Sequence, residues 1–303
     1  MVNLIYHYTS MECFHSMLET FEKEGSQEFE LWASSIFYMN DPREFYHGYE
    51  MLMNHHLPKI EKEMTLKPEL RVSRIWNVDG TREKETGFKR TFINSLMKNN
   101  QTPFIISYSR LQDNAALWNK YGDKGRGVCL VFKEYESEFI SANLPKDADV
   151  KIKDMMRVYD VSYDGSLDES CIKVLKNTYE KFYKKAKHIT NDMQLFELKL
   201  NYLVSFVIVF APYIKTKSFS FEHEARLIKL IQDNDQISFR CAKDGTLIPF
   251  VKERVPVSNF IGVYVGPASC VELNTKALEN RFHNNKALYD KRVIVSDLSP
   301  EFF

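Results

Sequence analysis

The segment KSFSFEHEARLIKL, residues 217–230, decides how this chain is organised. Glu222, Glu224 and Arg226 share one parity, whereas mostly apolar residues occupy the other. A period of two predicts a β-strand, in which alternate side chains share a face and lie roughly 7 Å apart. Two carboxylates beside an arginine suit acid–base chemistry or the stabilisation of a developing positive charge. The alternative is an edge strand with a solvated charged face, where Arg226 only neutralises a glutamate.

Length and composition favour a globular protein with a thick core. The chain has 303 residues, and its 41 basic and 41 acidic residues cancel, so no global field favours nucleic acid or an anionic membrane. Five separated cysteines without a CxxC spacing indicate a reduced, cytoplasmic setting. The start MVNLIYHYTS has no signal-peptide pattern. The longest apolar run, residues 202–213, falls short of the ~20 residues of a membrane span, so it predicts a buried helix end.

The N-terminal region places a histidine between a strand and a helix. Residues 4–8 alternate and predict a strand, and Thr9 with Glu12 has the spacing of a capping box that starts a helix. His7 then lies at a strand end next to unpaired backbone N–H groups, which favours a polar or anionic ligand. The alternative is a histidine hydrogen-bonded to a neighbouring strand.

The middle of the chain predicts a strand followed by a short aromatic helix. PFIISYSR, residues 103–110, places Ser107 and Ser109 on one strand face. Asp113 is expected to cap a helix that carries Trp118 and Tyr121. The serine hydroxyls either line a pocket beside these rings or bond to backbone at the strand edge.

The remaining elements complete one α+β domain over residues 1–303, with a helical insertion at approximately 166–212. Alternation and turn residues predict strands, and apolar stripes predict a helix pair that breaks near residues 190–192. A second strand leads into MNDPREF, a turn before a helix over 43–56. Further strands are expected over 125–132, 157–163, 236–240, 246–251, 260–265 and 291–296, and a helix over 269–280.

Seven segments resemble the DUF2971 family of bacterial proteins, in that family's order. They are YHYTS, MNDPREF, ISYSR, LWNKYGDKGRGVCLVF, FEHEARLI, VYVGP and a late VIVS. Two departures stand out. DLSPEFF follows Ser296 where the family usually ends in Pro-aromatic-Arg, and Ala225 occupies a position where a large aromatic is common, which changes a pocket.

A second, more remote resemblance is to ADP-ribosyltransferases. It is carried by His-x-Thr at a first strand end, Ser-x-Ser on a middle strand and Glu-x-Glu on a late strand. That resemblance implies an α+β fold in which a split mixed or antiparallel sheet with flanking helices cradles NAD. Such a reaction consumes NAD as substrate and requires no metal.

The same resemblance implies roles for individual residues. Glu224 would be the catalytic carboxylate that stabilises the charge developing on the ribose, and Glu222 would orient the nucleophile. His7 and Thr9 would hold the adenosine side or ribose hydroxyls, and Tyr121 or Trp118 would stack on nicotinamide. The complete set expected to contact NAD is His7, Tyr8, Thr9, Asn40, Ser107, Ser109, Trp118, Tyr121 and Arg226.

Three functions follow as expectations. The first is an NAD-consuming ADP-ribosyltransferase or NAD glycohydrolase, a toxin or phage-defence effector acting on a small-molecule nucleotide, with a protein or nucleic-acid acceptor and no membrane partner. The second is a non-catalytic sensor that binds a nucleotide or peptide on the same fold. The third is a nucleic-acid enzyme in which Glu222, Glu224 and Asp160 hold Mg²⁺. Zero net charge argues against the third.

Overall fold

A ten-stranded mixed sheet organises the described part of the chain. The computed structural model describes residues 3–39, 41, 43–75, 89–96, 102–137, 157–231, 236–242 and 244–303. The strands are β1 (Leu4–Thr9), β2 (Glu28–Ser35), β3 (Phe104–Ser109), β4 (Val128–Lys133), β5 (Tyr159–Asp160), β6 (Glu224–Lys229), β7 (Ser238–Cys241), β8 (Leu247–Pro256), β9 (Phe260–Val265) and β10 (Arg292–Val295).

Eight α-helices accompany the sheet in the described residues. They are α1 (Met11–Glu24), α2 (Glu44–Met51), α3 (Leu57–Glu63), α4 (89–96), α5 (Ala115–Tyr121), α6 (Glu169–Ala186), α7 (Asp192–Phe210) and α8 (Val271–His283). A π-helical segment, Leu52–His56, joins α2 to α3, so the helix expected over 43–56 continues to Glu63.

The sheet forks at β3. One edge of β3 pairs along its length with β6, and β1 and β2 share the other edge. Tyr6 of β1 pairs with Ser109 at one end of β3, whereas Ser35 of β2 pairs with Phe104 at the other. One arm continues as β1-β4-β9-β10 and the other as β2-β8-β7. The neighbouring strands are antiparallel except β9 and β10, so the expected mixed sheet is confirmed.

Strands β3 and β6 carry different chemistry on their two faces. Ile105 and Ile228 point to a helical layer formed by α2, α3, α6 and α7. Phe104, Ala225 and Leu227 point to the opposite core, which α1 and α8 cover. Since side chains alternate along a strand, Glu224 and Arg226 share the face of the helical layer with Ser107 and Ser109.

The helical layer follows the sequence closely. Asp168 caps α6 by accepting from Cys171 N, and Asn191 caps α7 by accepting from Gln194 N, which explains the predicted break between the two helices. Residues Asp192–Tyr213 are long and apolar enough to span a membrane by length and composition, with a mean hydropathy of 1.5. Tyr202, Phe206 and Phe210 are nevertheless fully buried in the protein core, so α7 is a core helix with the expected buried end.

The prediction of one continuous strand over 217–230 is wrong in its first half. Lys217–Glu222 forms a 3₁₀-helix, which ends at His223 in the left-handed region with φ of +41°. The strand starts only at Glu224. The alternative of a solvated charged face is also wrong, because Glu222, Glu224 and Arg226 are buried. Alternation cannot distinguish a strand from a short 3₁₀ segment that tertiary hydrogen bonds hold in place.

Two predicted helix caps are displaced by one residue. Ser10, not Thr9, caps α1 through its bond from Cys13 N, because Thr9 still pairs with Val128 in the sheet. Asn114 caps α5 in place of Asp113. The later strands and the last helix appear where expected, with ends that differ by up to five residues.

Candidate functional site

Six charged side chains from four parts of the chain meet beneath the fork. This group, called the charge cluster below, consists of Glu44, Lys120, Lys215, Glu222, Glu224 and Arg226. Glu44 begins α2, Lys120 lies on α5 and Lys215 follows α7. Glu222 ends the 3₁₀-helix, and Glu224 and Arg226 lie on β6. Three carboxylates face three cations, so the cluster is balanced in charge.

Arg226 is the centre of the charge cluster and has no exposed surface. Its Nε donates to Glu224 Oε1 at 2.7 Å and its Nη2 to Glu224 Oε2 at 2.9 Å, a bidentate pair. Nη1 donates to the Pro212 carbonyl at 2.6 Å, and Nη2 also pairs with Glu44. These contacts join β6 to α2 and to the end of α7.

Lys215 bridges the two predicted carboxylates. Its Nζ donates to Glu222 Oε2 and to Glu224 Oε2, each at 2.7 Å, and lies 3.4 Å from Glu44 Oε2. Both oxygens of Glu224 are therefore bound by protein cations. Tyr163 Oη also accepts from Glu224 N at 2.7 Å, which fixes the backbone at the start of β6.

Glu222 forms the outer end of the charge cluster. Its Oε1 accepts from Lys120 Nζ at 2.6 Å and from Tyr121 Oη at 2.8 Å. Its backbone carbonyl accepts from Ser109 Oγ at 2.7 Å, which ties the 3₁₀-helix to β3. The Lys120 side chain is 30% exposed, against 5% for Lys215, so solvent reaches the cluster beside Glu222.

Electrostatics keep the inner groups ionised. Burial alone would raise the pKa of Glu224, but the adjacent charges of Arg226 and Lys215 lower it to about 2. Burial opposes the charged forms of Arg226 and Lys215, yet Glu224 beside them raises the pKa of both. Burial raises the pKa of Tyr163 to about 12, so this phenol remains neutral. The carboxylate–cation pairs are consequently permanent at neutral pH.

The structure brings five predicted site residues together. Glu222, Glu224 and Arg226 belong to the charge cluster, and Ser109 and Tyr121 hydrogen-bond to Glu222. Tyr121 is therefore next to Glu222, as expected for a ring that would stack on a ligand bound at the carboxylates.

His7 does not join this group. It follows Tyr6, which pairs with Ser109, so its side chain points to the opposite face of the sheet, where its ring contacts Tyr108 edge-on at 5.8 Å. His7 Nδ1 lies 2.9 Å from the carbonyl oxygen of Ser107. Ser107 lies in the part of β3 between the residues that pair with β1 and those that pair with β2. Burial lowers the pKa of His7. Of the two predictions for His7, these contacts agree with the histidine that is hydrogen-bonded to a neighbouring strand.

Three further predicted residues serve the framework in this structure. Tyr8 Oη donates to Leu111 O and accepts from Asn114 N, and Thr9 pairs in the sheet. Trp118 is fully buried against Tyr8, with its indole N–H donated to Asp113, so its ring has no exposed face for stacking. Asn40 lies outside the described residues.

Ser107 pairs with Arg226 across β3 and β6. Its Oγ is buried and has no hydrogen-bond partner among the described residues. The expected backbone partner for this hydroxyl is thus not found there, whereas Ser109 Oγ has two partners, Glu222 O and Leu111 N.

The Mg²⁺ hypothesis with Asp160 is wrong in its geometry. Asp160 pairs with Ala225 on the other face of β6, and its carboxylate bonds to Arg110 Nε at 2.6 Å. Lys215 occupies the position between Glu222 and Glu224 where a cation would bridge them. Within the described ranges, no group of three metal-ligating side chains is found.

Residues 117–227 match the model of a family described as "Protein of unknown function (DUF2971)". The match confirms the DUF2971 resemblance over that part of the chain. No curated protein and no solved structure matches the chain, so the ADP-ribosyltransferase likeness stays a prediction. The matched range contains five cluster residues: Lys120, Lys215, Glu222, Glu224 and Arg226.

Sequence reasoning missed three members of the charge cluster. Glu44 lies within MNDPREF and Lys120 within LWNKYGD, so both belong to motifs that were singled out for other residues. Lys215 follows the apolar end of α7, and a lysine at the end of a buried helix needs a carboxylate partner. This requirement is the signal that could have placed it.

Proposed function

We propose that the chain binds a nucleotide of the NAD class at the outer end of the charge cluster. The observation that carries this proposal is the environment of Glu222. One oxygen of this carboxylate is fixed inward by Lys215, and the other faces a partly exposed border of Lys120, Tyr121 and Phe221. Aromatic faces suit flat rings, an ammonium suits phosphate, and a carboxylate suits ribose hydroxyls.

This proposal favours Glu222 over Glu224 as the ligand-contacting carboxylate. Glu224 has both oxygens bound by Arg226 and Lys215, whose side chains are 0% and 5% exposed. A ribose hydroxyl would have to displace a buried arginine or lysine to reach it, which costs several kcal/mol. At Glu222 the ligand displaces only the partly exposed Lys120.

Cleavage of NAD, by transfer of ADP-ribose or by hydrolysis, is the second candidate. The observation in its favour is that Lys215 Nζ is 2.7 Å from both Glu222 and Glu224, which brings the two carboxylates together at one point of the cluster. Ionised carboxylates can stabilise positive charge that develops on a ribose. The balanced charge of the cluster favours binding without turnover, because little net negative potential remains while Lys120 is in place.

The test is incubation of the purified protein with NAD, following the melting temperature and free nicotinamide. Saturating NAD is expected to raise the melting temperature of the wild type by several degrees, and Glu222→Gln to reduce that shift. Glu272→Gln, an exposed change at the start of α8, is the matched control and should behave as wild type.

The outcomes separate the two candidates. Nicotinamide release that disappears in Glu222→Gln would establish cleavage, whereas a melting shift without release would establish binding alone. No shift and no release at saturating NAD would contradict both.

A further inference from the structure

The ammonium group of Lys120 lies inside an aromatic cage. Its Nζ is 4.6 Å from the ring centre of Phe219, 5.0 Å from that of Tyr121 and 5.8 Å from that of Phe221. Glu222 Oε1 completes the enclosure at 2.6 Å. Three ring faces and one carboxylate are the surroundings in which proteins hold organic cations such as quaternary ammonium groups.

The cage opens to solvent. The Lys120 side chain is 30% exposed, and Phe221 is 43% exposed. Lys120 is also the least buried cation of the charge cluster, since Lys215 and Arg226 are enclosed by protein. Because lysine has a long flexible stem, its ammonium can leave toward water without a change in the backbone of α5.

Departure of Lys120 would leave a specific charge deficit. Glu44, Glu222 and Glu224 would then face only Lys215 and Arg226, so the cluster would carry a net charge of −1. The oxygen that loses its cation is Glu222 Oε1, where Tyr121 Oη still donates. A cation entering from solvent restores the balance and regains the ring contacts.

We propose that this cage is a binding site for an external organic cation, and that Lys120 occupies it as a displaceable internal ligand. The ligand class is a flat pyridinium or a compact quaternary ammonium, whereas a neutral isostere gains neither the carboxylate nor the ring quadrupoles. The inference goes beyond the proposed function, since it requires no nucleotide. If the chain binds NAD, the pyridinium ring is the group that enters the cage.

The test uses 1-methylnicotinamide as the cationic probe and nicotinamide as its neutral control. Each is titrated by calorimetry into the wild type and into Lys120→Ala, which vacates the cage. Lys120→Ala is expected to bind the cation about tenfold more tightly than the wild type, because internal competition is removed. Its affinity for neutral nicotinamide should not rise.

Phe221→Leu provides the second variant, because it keeps an apolar side chain and removes one ring. It should lower affinity for the cation severalfold in both backgrounds and leave the melting temperature nearly unchanged, since Phe221 is exposed. If Lys120→Ala does not fold, Lys120→Gln replaces it, and the comparison of wild type with Phe221→Leu still decides.

Equal affinity for the cation and its neutral control would overturn the proposal, as would absence of binding in every folded variant. NAD-induced melting shifts are measured separately. Binding of 1-methylnicotinamide without any effect of NAD would therefore support the cage and contradict only the nucleotide proposal.

Discussion

Two buried carboxylates in this molecule are stabilised in opposite ways. Glu61 of α3 is almost fully buried, and neutral groups supply its hydrogen bonds within the described residues. Tyr179 Oη and Ser73 N donate to Oε1 at 2.5 and 2.8 Å, and Ser73 Oγ donates to Oε2. Glu224 receives its hydrogen bonds from the cations Arg226 and Lys215 instead.

The difference distinguishes a structural contact from a candidate site. Glu61 joins α3 to α6 through Tyr179, and the same phenol accepts from Val72 N. Glu61 is 1% exposed, and its hydrogen bonds within the described residues are all to neutral groups. The charge cluster brings together ions whose desolvation costs several kcal/mol each, and it remains open at Lys120. Such an arrangement is typical of a site that binds a charged ligand or stabilises charge during a reaction.

The largest expected effect is on the free energy of unfolding when Glu224 or Glu61 loses its negative charge. Glu224→Gln places an amide donor against Arg226 and Lys215 and should lower the free energy of unfolding by about 3–5 kcal/mol. Glu61→Gln should cost less than about 1 kcal/mol, because the amide oxygen can accept from Tyr179 while the amide N–H donates to Ser73 Oγ. Urea unfolding measures both. Equal losses would show that the two carboxylates do not differ in this way.

Acid should act through Glu224. Its folded pKa of about 2 lies below the value of about 4.3 expected in the unfolded chain. Its stabilising contribution, about 3 kcal/mol, is therefore complete above pH ~4.5 and is lost as the pH falls toward 2. Urea unfolding between pH 5 and pH 2.5 should show this loss in the wild type and a shallower dependence in Glu224→Gln.

The exposed change Glu272→Gln serves as the control for the pH series, since it also removes one carboxylate. It should reproduce the wild-type dependence. A dependence as shallow as that of Glu224→Gln would assign the acid response to general charge repulsion.

The smallest effect concerns the phenols that donate to each region. Tyr179→Phe removes a donor to Glu61 and leaves Val72 N–H without its partner in a closed interior, so it should cost about 2 kcal/mol. Tyr121→Phe should cost less than about 1 kcal/mol, because Glu222 keeps Lys120 and Lys215 as charged donors. Thermal unfolding checks the order, and a larger loss for Tyr121→Phe would reverse it.

Local chemistry predicted much of the fold. The break between α6 and α7 follows from Asn191 and the apolar stripes on either side. Strand β3, with Ser107 and Ser109 on one face, is where alternation placed it. The helix caps at Ser10 and Asn114 each lie one residue from the prediction, because sheet pairing and loop geometry decide which hydroxyl or amide meets the first free N–H.

The candidate site was predicted in composition but not in arrangement. The sequence by itself placed Glu222, Glu224 and Arg226 within five residues of one another, which is enough to bring their charges together. Only the tertiary structure decided that they are buried and paired with Glu44 and Lys215, and that His7 points to the other face of the sheet. The physical reason is that a strand period sets which side chains share a face. The elements that cover that face, and the countercharges they bring, depend on contacts between distant parts of the chain.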